Sequence, residues 1–157
     1  MLFRSATLTP DQSIKSPDPA LLSGALAWSA EAVVAPDGPQ VARWAVISAS
    51  RGTWGIVGNN VTIYGYHNGT FVHGGSPVPA MHLCVVYDGA TLRVYRNGVE
   101  VSTSAATGAV AAVTTVPSIG KTGEDVGVDG RVAGVAVYDH ALSPARVLAH
   151  ATSAGLA

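Results

Sequence analysis

The sequence predicts an all-β domain, a two-sheet antiparallel jelly-roll sandwich with one short C-terminal helix. Three observations carry this. Short apolar stretches alternate with turn formers along the chain, which holds 18 Gly and 9 Pro among 157 residues. Two Asn-Gly pairs, Asn68-Gly69 and Asn97-Gly98, separate apolar runs, and that dipeptide tolerates the positive φ angles of a type I′ hairpin turn. Only the end looks helical: Ser143 is a good N-cap and Pro144 fits the first helical position.

Leu2 to Leu8 reads as the first strand. Thr9 to Ser23 carries Pro10, Pro17 and Pro19 among polar residues and reads as a loop, or as an arm docked on a neighbour. Ala25 to Val34, with Trp28, is the next strand. Pro36-Asp37-Gly38-Pro39 stops it, since proline lacks a donor and Asp-Gly favours a turn. Arg43 to Ser48 alternates, with Trp44, Val46 and Ser48 on one face and Ala45 and Ile47 on the other.

Thr53 to Val57 and Val61 to Tyr66 follow, parted by Gly58-Asn59-Asn60, and Thr70 to His73 completes the Asn68-Gly69 hairpin. The clearest run is Met81 to Tyr87, a turn at Asp88-Gly89-Ala90, then Thr91 to Arg96, with Val99 to Val101 pairing back. Ser102 to Thr115 is small and polar around Gly108. Val116 to Gly120 is a short strand, Lys121 to Gly127 a polar loop, and Arg131 to Tyr138 a strand with Val135 and Val137 on one face. In the helix, Val147, Leu148 and Ala151 face the sandwich and Gly155 ends it. No repeat or internal boundary is visible, so residues 1–157 read as one domain.

Hydrophobic residues make up 48% of the chain and charged residues 12%, against roughly 25% charged in soluble proteins. The net charge is −1 and no Lys/Arg run occurs, which excludes nucleic acid as a partner. No apolar stretch nears the ~20 residues of a membrane helix, so no membrane insertion is expected. Residues 1–7 lack the basic and apolar regions of a signal peptide, so synthesis and release in a cytoplasm are expected. Cys84 is the single cysteine and lies in an apolar run, where it reads as a buried core thiol.

The words His82-Leu83-Cys84-Val85-Val86-Tyr87-Asp88-Gly89 and Leu92-Arg93-Val94-Tyr95-Arg96-Asn97-Gly98-Val99 are followed by Pro117-Ser118-Ile119-Gly120 and Val128-Asp129-Gly130-Arg131-Val132. Val135-Ala136-Val137-Tyr138-Asp139-His140-Ala141-Leu142-Ser143-Pro144 is the last. In order and spacing these resemble the laminin G-like branch of the concanavalin A-like lectin/glucanase superfamily, over about Met81 to His150. Leu22-Ser23-Gly24 and Trp28 to Val33 match the family's first long strand loosely. Where many relatives carry an acidic pair before the valine of the last strand, this chain has Ala133-Gly134, so the role of that pair does not transfer. The resemblance implies the fold and leaves sugar binding, adhesion, glycan hydrolysis and scaffolding open.

Glycoside hydrolysis needs two carboxyl groups facing one bond, roughly 5–9.5 Å apart. Glu31, Glu100 and Glu124 have no such partner in their strands, and the E-x-D-x-E pattern of the glucanase branch is absent, so no enzyme is expected. Sugar recognition uses an aromatic platform with amides and carboxylates beside it. Trp54, Tyr64, Tyr66, His67 and Asn68 form the candidate ligand-binding set, the alternative being that Trp54 and Tyr64 belong to the core. His67 and His73 flank the Asn68-Gly69 turn, across which they could approach each other. Ca²⁺ needs six to eight oxygens, and Asp125 and Asp129 are its best candidate ligands.

The expected function is that of a non-enzymatic, lectin-like binding module, a virion surface component recognising a glycan or cell surface. The alternative is a structural or decoration protein of a phage capsid or tail, packing against neighbouring virion proteins. Symmetric homo-oligomers are common for such domains, but no residue fixes a number.

Overall fold

The computed structural model describes residues 2–9, 12–38, 40, 44–49, 52–113, 115–121 and 126–157, and the side chains of all of these except 2–5 and 126. In chain order the strands are β1 (Leu2–Leu8), β2 (Ser13–Lys15), β3 (Trp28–Pro36), β4 (Trp44–Ser48) and β5 (Trp54–Gly58). Next come β6 (Ile63–His67), β7 (Thr70–His73), β8 (Met81–Tyr87), β9 (Thr91–Arg96) and β10 (Val99–Ala105). The last are β11 (Ser118–Gly120), β12 (Val126–Gly127) and β13 (Gly130–Tyr138), followed by helix α1 (Pro144–Ser153). The first sheet has the order β1-β13-β3-β8-β9-β10 and the second β2-β11-β4-β5-β6-β7. Pairing is antiparallel throughout except that β12 runs parallel to β4. This is the two-sheet sandwich with one terminal helix that the sequence predicts.

The core lies between the sheets and includes Trp28, Trp44 and Trp54, all 0% exposed. Trp28 and Trp54 pack at 5.7 Å with their planes tilted by 56°. The sheets approach closely at Gly65, where an added Cβ would sit 2.7 Å from Val85 Cγ2 and 2.8 Å from Val94 Cγ2. Glycine is the residue that lets β6 lie this near β8 and β9.

Four local differences from the sequence reading have physical causes. A bulge between Ala45 and Ile47 turns Ile47 into the main core beside Trp44 and Val46, so strict alternation fails there. Within the proline-rich 9–23 segment, Ser13–Lys15 pairs with β11 as an edge strand, and Ser16 N–H extends the link to Pro117 O at 2.7 Å. Ser102 to Ala105 continues β10 along β9 beyond the expected Val101. In α1, Val147 and Ala151 are 0% exposed, but Leu148 is 47% exposed and lies against Gly98.

Helix α1 closes the outer face of the first sheet. Ser143 caps it by accepting from Arg146 N–H, and Gly155, at φ 72°, ends it. Val147 and Leu142 pack on Cys84, Val86 and Tyr95, which point outward from β8 and β9. Cys84 is fully buried there, and burial first and Glu31 second push its thiol well above its ordinary value.

Candidate functional site

The β6–β7 hairpin turns on Asn68 at φ 45° and Gly69 at φ 83°, the two positive angles of a type I′ turn. This two-residue turn fixes the register Tyr64↔His73, Gly65↔Val72, Tyr66↔Phe71 and His67↔Thr70. Side chains alternate across a strand, so Gly65, His67 and Val72 face the core. Tyr64, Tyr66, Phe71 and His73 face outward together.

Their geometry makes an aromatic face. Phe71, 49% exposed, lies on Tyr66 with ring centres 5.5 Å apart and planes 30° apart. Tyr64 meets Phe71 edge-on at 6.5 Å, and His73 lies 4.8 Å from Tyr64. Tyr66 is buried against Ala45 and Val57, so it backs the face rather than presenting itself. Asn59 Nδ2 reaches the Tyr64 hydroxyl at 3.5 Å.

The sequence-derived ligand set is therefore split. Tyr64 and Tyr66 belong to the outer face, but Trp54 and His67 pair across β5 and β6 on the inner face, each 0% exposed. No sugar can stack on a ring enclosed between two sheets, which corrects their assignment as ligand residues. His67 and His73 point to opposite faces, so they do not approach each other across the turn. Trp54 Nε1 is buried without a hydrogen-bond partner.

His67 and Asn68 instead staple the 106–111 segment. Trp28 Nε1–H donates to His67 Nδ1 at 3.1 Å, which leaves Nε2–H to donate to Gly108 O at 3.0 Å. Tyr87 OH donates to the same carbonyl at 2.8 Å and stacks on His67 at 3.8 Å. Asn68 donates to Ala109 O at 2.7 Å and accepts from Ala111 N–H at 3.0 Å, so both ends of its amide are occupied. Burial holds the His67 ring below its ordinary pKa, against the opposing effect of its backbone hydrogen bonds.

A second polar cluster lies under α1. The Glu31 carboxylate, on the outward side of β3, accepts from Tyr138 OH at 2.7 Å and His82 Nε2–H at 3.1 Å. His150 Nδ1–H of α1 adds a third bond at 2.9 Å. Burial pushes the Glu31 carboxyl up, but the bonds from His82, His150 and Tyr138 outweigh it and hold the group below its ordinary value. His82 Nδ1 is buried without a partner.

Among the described residues, no group of three His, Cys, Asp or Glu side chains is placed to hold a metal ion. Of the two candidate Ca²⁺ ligands, Asp125 lies outside the described residues. Asp129 is exposed, and its backbone N–H and C=O bond to the Gln40 amide at 2.9 and 3.0 Å. Phe71 and the Glu31 cluster are not foreseen in the sequence, and His73, expected only as a partner of His67 across the turn, instead lies beside Tyr64.

A family model described as the concanavalin A-like lectin/glucanases superfamily matches residues 8–148. Domain 4 of AbnA, an extracellular arabinanase of Geobacillus stearothermophilus in complex with arabinotriose, is 22% identical with a TM-score of 0.72. That match covers 94% of this chain and 76% of the domain. A leech intramolecular trans-sialidase is 13% identical with a TM-score of 0.72, covering 95% of this chain and 27% of its own. Trypanosoma rangeli sialidase in complex with sialic acid is 17% identical with a TM-score of 0.64, covering 83% of this chain and 23% of its own. The chain thus spans about a quarter of either sialidase-type protein. No curated protein sequence matches it. At these identities the likeness shows the fold.

Proposed function

The chain belongs to the concanavalin A-like lectin/glucanases superfamily, and we propose that it serves as a non-enzymatic glycan-binding module whose platform is the outer face of the β6–β7 hairpin. The observation that carries this reading is Phe71, a large ring left half exposed while Tyr66 and Tyr64 hold it in place. The apolar face of a sugar packs on such a ring, and the Tyr64 hydroxyl, Asn59 and His73 supply polar partners for its hydroxyls. The arabinanase domain, similar over most of this chain, was captured with arabinotriose, which supports a sugar ligand.

The arrangement of described carboxylates supports binding without hydrolysis. A general acid needs a raised pKa and a second carboxyl across the scissile bond. Glu31 is held low and lies under α1, away from the platform. Asp88 is held below its ordinary value, first by the hydrogen bond from Arg93, and Glu100 shares that arginine. The expected virion setting draws no support from the neighbours named above.

Titrating arabinotriose and sialyllactose into the purified chain tests this. Phe71→Ala should keep the fold and weaken binding about tenfold or more, roughly 1.4 kcal/mol. Binding untouched by Phe71→Ala and Tyr64→Ala would overturn the platform. Absence of saturable binding to either sugar would overturn the function.

A further inference from the structure

We propose a second sugar site: the cleft between the 18–25 turn and the end of β13 takes a neutral oligosaccharide. This rests on the glycan-binding reading and deepens it by adding a site and a charge preference. The cleft has a volume of about 630 Å³ and shares no residue with the hairpin face. That volume lies in the roughly 300–1,000 Å³ range of small-ligand sites.

Its lining includes the apolar Leu21 and Ala25, the Tyr138 ring, and the polar Asp18, Asp139 and His140, of which the Asp139 and His140 side chains are largely exposed. The Tyr138 ring is fixed from three sides. Its hydroxyl donates to Glu31, His150 stacks at 6.4 Å and His140 meets it edge-on at 5.7 Å. The opposite wall is equally tied down. Gly24 N–H donates to Val110 O at 2.9 Å, Val110 N–H to Ala25 O at 2.8 Å, and Val113 N–H to Ser23 Oγ at 3.1 Å. A cleft with both walls anchored meets a ligand without a large ordering cost.

The rim chemistry selects the ligand. Asp18 Oδ1 accepts from Ala20 N–H at 2.8 Å, and Asp139 Oδ1 bonds His140 Nδ1 at 3.1 Å. The second oxygen of each carboxylate lies outside these bonds and can accept from sugar hydroxyls. The hydrogen bond from His140 holds the Asp139 carboxyl below its ordinary value, so it is ionised at neutral pH. Two carboxylates beside an aromatic wall fit a neutral sugar, whereas a sialic or uronic acid would add a third negative charge to the rim.

Amide chemical-shift mapping on the full ¹⁵N-labelled chain tests the site, with arabinotriose and sialyllactose as separate probes. Arabinotriose should shift the amides of Ala25 and Asp139, and those shifts should persist in Phe71→Ala. The double change Asp139→Asn, His140→Ala should weaken the cleft response about tenfold and leave the hairpin response in place. Sialyllactose should leave the cleft amides unmoved. Shifts confined to the hairpin would overturn the cleft while leaving the platform standing. Equal cleft shifts from both probes would overturn the charge preference. No shift anywhere would overturn the glycan-binding reading itself.

Discussion

Replacing Glu31 by alanine tests whether the buried cluster ties α1 to the first sheet. The carboxylate joins β3 to β8 through His82, to β13 through Tyr138 and to α1 through His150. The Glu31 and His82 side chains are only 7% and 3% exposed, so water cannot replace the lost bonds freely. Breaking a buried pair by removing one partner costs about 3–5 kcal/mol, because the other partner stays buried and unpaired. For a denaturant slope near ~2 kcal/mol/M, that lowers the urea midpoint by roughly 1.5–2.5 M with the slope unchanged. The assay is urea unfolding followed by the fluorescence of the three tryptophans, all buried.

Glu31→Ala with His82→Leu should recover part of the loss, since the orphaned imidazole goes too. The acid limb gives an independent check. The folded Glu31 pKa lies below its ordinary 4.5, so its contribution is present above pH 4.5 and is lost as pH falls through the folded value. Glu31→Gln should flatten that limb. A loss from Glu31→Ala below about 1 kcal/mol, the range of solvated pairs, would refute the reasoning.

Trp54→Ala should destabilise by about 3–5 kcal/mol, as large core truncations do, with unchanged sugar affinity per folded molecule. Lost affinity without lost stability, in paired melting and titration experiments, would contradict its place in the core. Because the folded His67 pKa lies below 6.5, the neutral ring's stabilisation is complete above pH 6.5 and declines as pH falls from there toward the folded value. Melting temperature against pH should show this decline in the native chain and less of it in His67→Phe. Cys84, fully buried with its thiol pushed well up, should react with a thiol reagent only on unfolding, so labelling in native buffer should be negligible.

The hairpin run was legible because its punctuation is local. Asp88-Gly89 and Asn97-Gly98 bound β8 and β9, and the expected ranges Met81–Tyr87 and Thr91–Arg96 coincide with the observed strands. β2 was not legible, since three residues among prolines become a strand only by pairing with β11, far along the chain. The candidate site was half legible. Tyr64 and Tyr66 stood out, but the two-residue turn already dictated the rest: it sets Phe71 and His73 beside them and sends His67 the other way. The Glu31 cluster left no local signal, because its partners lie 51, 107 and 119 residues away.

The two outer faces of the sandwich show why Phe71 calls for a functional account. On the first sheet, the outward apolar residues Cys84, Val86 and Tyr95 are covered by Leu142 and Val147. On the second, Ala45, Val57 and Tyr66 are buried together, yet Phe71 stays open on the last strand of that sheet. An uncovered aromatic on a terminal strand invites unwanted association, and folds commonly blunt such positions with charge or cover. Here two tyrosines hold the ring in place with its surface open. Folding gains little from a half-exposed ring, so Phe71→Ala should cost well under the ~3–5 kcal/mol of a buried phenylalanine. A loss that large would make Phe71 a packing residue and remove the case for the platform, whereas a small one paired with weakened sugar binding assigns the ring to its ligand.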